Sequence, residues 1–264
     1  MLKYTTSIIL FLCFLSGYSQ EETIAVDSTA TDSTAVVQVE TDSTVYKPRY
    51  GLRVGIDLSK PIRSFIDEDY KGLELVADFR VSYNFYAAAE LGNEEKTTQE
   101  DNFNFTSKGS YVKLGFDWNT YDNWYGMENI INVGVRFGLS AFSQTLNEYQ
   151  IYTKNQYWGE IQDGITGTNM LGEYSGLNAQ WVEVVFGIKV EIFKNLFMGG
   201  SVRLNYLINQ TEANQLPNLF IPGFNKVTDG SKFGVGYNYT LSYLIPIFKG
   251  KKPSKKTEVQ SNEE

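Results

Sequence analysis

The chain has 264 residues and a formal charge of −8, with 18 Tyr, 17 Phe and 23 Gly, a single cysteine and no histidine. Its acidity argues against a nucleic-acid binder, which needs a basic surface. The missing imidazoles exclude Ser-His and Asp-His hydrolases and imidazole-built zinc sites, and without a second thiol there is no disulfide. No enzyme and no cofactor are therefore expected, with carboxylate-only chemistry left open.

Residues 1–19 read as a secretory signal peptide: Lys3 supplies the positive start, Ile8 to Leu15 the apolar core, and Gly17-Tyr18-Ser19 the small-residue cleavage site. Cys13 follows Leu10, Phe11 and Leu12 instead of small residues, which argues against a lipid anchor. Residues 20–48 are rich in Ser, Thr and Asp and poor in aromatics, the composition of a disordered tether. Asp-Ser-Thr recurs there, so Ser28, Ser33 and Ser43 are candidate O-glycosylation acceptors, or else an unmodified linker.

From Tyr50 the texture changes to period-two alternation, the mark of strands. Eight segments carry it: Tyr50 to Leu58, Leu73 to Tyr83, Phe85 to Leu91, Tyr111 to Asn119, Ile131 to Gln144, Trp181 to Phe193, Phe197 to Asn209, and Val235 to Phe248. Short turns such as Lys194-Asn195 alternate with long connections such as "SKPIRSFIDEDYKG" and "GNEEKTTQEDNFNFTSKG". Shorter turns at one rim and long loops at the other predict an eight-stranded antiparallel up-and-down transmembrane β-barrel over residues 49–248. Residues 249–264, beginning "KGKKPSKK", read as a charged, disordered tail.

Alternation alone does not separate a membrane barrel from a soluble lipocalin-like one, so the composition of the two faces decides. One face holds Leu52, Val54, Ile56, Leu114, Phe116, Val133, Val135, Phe186, Ile188, Val202 and Leu204 with no charge among them. The other alternates glycine with charge: Arg53, Asp57, Glu74, Asp78, Arg80, Glu90, Lys113, Asp117, Arg136, Glu183, Lys189, Glu191 and Arg203. Glycines between long charged side chains suit a crowded polar interior better than a solvent face. Eight strands enclose a space that side chains fill, and buried charges must pair, so these residues are expected to form an ion-paired plug. Tyr50, Tyr83, Phe85, Trp118, Trp124, Tyr125, Phe193 and Phe248 stand near strand ends, where headgroups would lie.

Four details are less regular. Phe248 falls on the wrong parity relative to Tyr243, which a bulge at Pro246 would repair. The carboxylates Asp67, Glu68, Asp69, Glu94 and Glu95 lack calcium-loop spacing and read as solvated loop charge. "EYQIYTKNQYWGEIQDGITGTNMLGEYSG", from Glu148, has the Tyr, Trp, Asn and Gly of an adaptable surface or of a loop folded over the barrel mouth. "LPNLFIPGF", Leu216 to Phe224, is apolar enough to cap the lumen, dip into lipid or meet a partner.

Through "RYGLRVGIDLSKPI", "YVKLGFDWN" and "YNYTLSYLIPIF" the chain resembles the small outer-membrane β-barrel proteins of Gram-negative bacteria, in particular a domain-of-unknown-function family of exported barrels. The resemblance implies the outer membrane, both termini periplasmic, with lipid and the barrel-insertion machinery as partners. No peptidoglycan-binding domain of the kind some such barrels carry is expected after Phe248. The expected role is a structural or surface-interaction scaffold whose loops meet a protein or glycan. A carrier of a small solute or lipidic ligand, and a soluble exported barrel, are the alternatives.

Overall fold

A computed structural model describes residues 48–100, 103–123, 127–149, 171–212, 217–227 and 231–249. The signal peptide, the tether with Ser28, Ser33 and Ser43, Trp124, Tyr125, Trp158 and the tail lie outside the described residues.

The strands are β1 (Arg49–Asp57), β2 (Tyr70–Arg80), β3 (Phe85–Glu100), β4 (Phe103–Asn119), β5 (Ile130–Tyr149), β6 (Gly172–Phe193) and β7 (Leu196–Gln210). A two-residue pair, β8 (Phe220–Ile221) and β9 (Asn225–Lys226), precedes β10 (Phe233–Lys249). β1 to β7 and β10 close into an eight-stranded antiparallel barrel, β1-β10-β7-β6-β5-β4-β3-β2, and β8–β9 form a separate hairpin. One helix, α1 (Ser59–Ile66), fills the connection from β1 to β2, which sequence reading treated as loop.

Because successive strand residues point to opposite faces, the alternating pattern sorts itself around the ring. Leu52, Val54, Ile56, Leu114, Phe116, Val133, Val135, Phe186, Ile188, Val202 and Leu204 face outward and are exposed, while Arg53, Glu90, Lys113, Asp117, Arg136, Glu183 and Arg203 are buried inside. The distribution is the reverse of a soluble domain's, where large apolar residues are interior and charges almost never are. Glycine makes the interior possible: a Cβ on Gly134 would collide with the Asp117 carboxylate, and one on Gly138 with the Trp181 indole.

Two expectations about strand ends are corrected or explained. "GNEEKTTQEDNFNFTSKG" is not a loop, since β3 and β4 stay paired from Phe85↔Trp118 out to Glu100↔Phe103. The apolar row ends near Leu91, but pairing needs only backbone groups, so the hairpin runs on with polar side chains. At the C-terminal end, Tyr50 pairs with Phe248 and Gly51 with Pro246, leaving Ile247 bulged. That extra residue turns Ile245, Ile247 and Phe248 all outward, and the Phe248 ring stacks on Tyr50 at 5.1 Å.

The chain enters and leaves at the short-turn rim. Arg49 there donates to Asn195 Oδ1 and to Glu191 Oε2, each at 2.6 Å. Asn195 takes a positive φ of 67° to make the two-residue turn between β6 and β7, a conformation Asn tolerates.

Candidate functional site

The charged part of the interior is built from inward positions of seven strands. Arg53 on β1 lies opposite Asp78 on β2, and its Nε and Nη2 donate to Asp78 Oδ1 at 2.9 and 2.7 Å. Lys189 reaches across from β6 to Asp78 Oδ2 at 2.7 Å and to Asp117 at 3.8 Å. Arg136 on β5 donates to both Asp117 oxygens at 2.9 Å and to Glu90 at 3.2 Å. Arg203 on β7 joins Glu90 at 2.6 Å to Glu183 at 3.0 Å. Lys113 on β4 stands 3.2 Å from Glu183 and 3.6 Å from Glu74.

Arg53, Lys113, Arg136, Lys189 and Arg203 thus meet Glu74, Asp78, Glu90, Asp117 and Glu183 in one continuous web of zero formal charge. Isolated charges in such a place would each cost several kcal/mol, so the mutual pairing is what permits their burial. A cavity of about 40 Å³ lies between these side chains, room for a few waters.

Three residues assigned to the web by sequence stand apart from it. Asp57 forms no ion pair among the described residues: it accepts from Ser59 N at 2.9 Å, Asn238 Nδ2 at 2.6 Å and Tyr239 N at 3.1 Å. Its position at the end of β1 makes it a backbone anchor for the turn into α1. Arg80 donates to the carbonyls of Tyr83 and Arg49 and lies over the Tyr50, Tyr83 and Tyr86 rings. Glu191 belongs to the rim, paired with Arg49. Parity identifies which residues point inward, but not their height along the barrel, so these three were indistinguishable from web members.

Toward the long-loop end the interior turns apolar. Tyr111, Phe142, Leu177, Trp181 and Leu207 pack there with Ile221 and Phe224 of the β8–β9 hairpin, while Phe220 packs with Tyr70, Phe105 and Leu146. Described residues of "LPNLFIPGF" therefore cap the lumen. Gly223, at φ 84°, turns the hairpin tip against the Tyr111 ring, where a side chain has no room. Cap and web are joined: Trp181 Nε1 donates to Glu183 at 2.7 Å, and the Tyr111 hydroxyl donates to Glu74.

Glu94 corrects the reading of the loop carboxylates as solvated charge. It is fully buried, paired with Lys60 of α1, and accepts from the Tyr70 hydroxyl at 2.8 Å and Gly223 N at 2.9 Å. One carboxylate thereby holds helix, barrel and hairpin together. Its inward parity on β3 was the available signal, hidden because the strand was ended at Leu91. Glu95 stays half-buried at the surface, 3.9 Å from Lys71. Asp67 accepts from Lys96 Nζ at 2.8 Å, and this hydrogen bond holds its carboxyl below the ordinary value of 3.8.

Among the described residues no group of three or more His, Cys, Asp or Glu could hold a metal ion. No described helix is long and apolar enough to cross a membrane, which leaves crossing by strands untouched.

A family model described as "Domain of unknown function (DUF6048)" matches residues 1–250. No curated protein matches the chain. Among solved structures it is similar to the crystal structure of Ail, the attachment invasion locus protein of Yersinia pestis. That likeness has 7% identity and a TM-score of 0.37, and covers 75% of this chain and 98% of the other.

Proposed function

The chain belongs to this family of unknown function, so its role rests on its own residues, and we propose that it is an outer-membrane β-barrel with a closed lumen, serving as a structural or surface-interaction scaffold. The observation that carries the reading is the inverted distribution: an outward belt of large apolar residues around an interior of paired charge. Lipid is the surrounding that makes both halves favourable at once. Water outside would leave an apolar surface far beyond what a soluble monomer exposes, and lipid next to the charges would leave them unpaired.

In this orientation both termini and the short turns are periplasmic, and α1, the extended β3–β4 hairpin and the cap face the outside. Phe248, exposed at the end of β10, is the strand-end aromatic offered to the barrel-insertion machinery, with the apolar Ile247 beside it. With each web carboxylate engaged by a cation, the lumen holds shape and presents no free acid–base pair. Contact with a protein or glycan falls to the exposed hairpin and loops.

The test uses two tryptophans. Refolded into vesicles, the protein should migrate differently on gels before and after boiling, as a closed barrel does. Acyl-brominated lipid should quench the outward Trp118, which is about half exposed, and spare Trp181, which is fully buried. In a background carrying Trp124→Phe and Trp158→Phe, which leaves Trp118 and Trp181 as the two emitters, the added Trp118→Phe should lose most of the quenchable emission. Equal quenching with and without Trp118, or no gel shift, contradicts a lipid-facing belt.

A further inference from the structure

The barrel wall is incomplete beside β1. β1 spans nine residues and its pairing with β10 ends at Asp57↔Thr240, so β10 from Phe233 to Tyr239 has no strand on that side. β2 likewise runs beyond its last β1 partner, from Leu75 back to Tyr70. α1 stands in the gap, lying mainly against β2 and hardly against β10. Between the helix, the hairpin cap and the free edge of β10 is a cavity of about 710 Å³, within the size range of small-molecule sites.

We propose that this cavity is a lateral binding site for one anionic lipid of the outer leaflet, its acyl chain inside and its headgroup on the basic residues of α1 and β3. Three features identify the occupant. Phe103, Phe105 and Phe220 make the wall apolar, whereas its charged members, Lys60, Arg63 and Lys96, are all bases. Their carboxylate partners Glu94 and Asp67 are not part of the wall. Val235 and Tyr237 line it too yet are exposed on the lipid-facing row of β10, so the mouth opens sideways, into the belt. Beside it α1 exposes Phe65 and Ile66, at 90% and 80%, which seats the helix at the interface with the part-exposed Arg63 at headgroup level, while Lys60 lies deeper, buried against Glu94. An acyl chain can therefore enter from the bilayer without crossing water, and a phosphate or carboxylate head meets cations there.

The inference rests on the membrane reading above, and the experiment separates the two. The full chain is refolded into phosphatidylcholine vesicles containing a little phosphatidic acid with a photoreactive diazirine in its acyl chain, irradiated, digested and mapped. Expected is labelling of belt peptides of β5 to β7 and strong labelling of the peptides bearing Phe103, Phe105 and Phe220. A diazirine diacylglycerol, lacking the charge, should label the belt equally and the wall about tenfold less. Thr98→Trp, which fills the cavity from β3, should abolish wall labelling alone. Arg63→Met with Lys96→Met should reduce it to the diacylglycerol level.

If the belt is unlabelled, the membrane reading fails. If the belt is labelled and the wall is not, or Thr98→Trp leaves wall labelling unchanged, the lipid site is refuted and the barrel stands. If excess inorganic phosphate suppresses wall labelling as effectively as excess phosphatidic acid, the basic residues bind free phosphate and the lipid assignment is overturned.

Discussion

Replacing Arg203 by methionine removes one base from the web while keeping much of its apolar stem. Arg203 is buried and donates to Glu90 at 2.6 and 3.0 Å and to Glu183 at 3.0 Å. Glu90 keeps Arg136 and Lys113, and Glu183 keeps Lys113, but five carboxylates now face four bases. One negative charge is left without compensation in a closed interior, and breaking a buried pair this way costs about 3–5 kcal/mol. In a water-filled lumen the same pairs would behave as surface ion pairs, worth about 0–1 kcal/mol and weakened by salt. Urea unfolding of vesicle-refolded protein, followed by the heat-sensitive gel shift at low and high salt, measures the difference. Adding Glu183→Gln to Arg203→Met restores neutrality and should recover part of the loss. A loss below about 1 kcal/mol that shrinks with salt would refute the closed web.

Glu94→Ala should cost about 3–5 kcal/mol by leaving Lys60 buried without its partner, and limited proteolysis should cut near the β8–β9 hairpin before the barrel opens. Gly138→Val should lower stability by about 1–3 kcal/mol through overpacking against Trp181, whereas Gly200→Val, where a Cβ meets nothing within 4 Å, should be neutral in the same unfolding assay. Asp67 tests the sign of a pH effect: its folded value lies below 3.8, so its anchoring of Lys96 is fully present above that value and is lost as pH falls through the lower, folded one. Amide exchange at Thr97, which donates to Asp69 O at 2.9 Å, should speed up beyond the intrinsic pH trend below pH 3.8, and Asp67→Asn should remove that extra acceleration.

The eight strands are legible in the sequence because lipid and a charged interior make opposite demands on alternate residues, so Val133, Val135 and Phe137 contrast sharply with Asn132, Gly134 and Arg136. Where that contrast ends, so does the signal. Past Leu91 the outward residues become Asn93, Glu95 and Thr97, and the continuing hairpin looks like loop although its backbone pairing is unbroken. α1 has eight residues, and Pro61 falls in its first turn, where the missing N–H breaks no intrahelical bond, so its apolar stripe of Ile62, Phe65 and Ile66 is too short to stand out from a loop. Ten of the thirteen proposed interior charges share one web, because parity is a local property and any inward charge at mid-barrel finds neighbours. Asp57, Arg80 and Glu191 differ only in height, which depends on strand register, and register depends on all the neighbouring strands together. The hairpin's role as lid was among the readings its apolar composition allowed, but only tertiary packing distinguishes a lid from a lipid-dipping loop.

Single-channel recording of the refolded full chain in planar bilayers is the most direct test of a closed, membrane-spanning barrel. The ion-paired web beneath an apolar cap predicts heat-modifiable protein that inserts and gives no steady conductance. A stable open conductance would show a hydrated path past Arg136, Glu90 and Arg203 and contradict the plugged lumen.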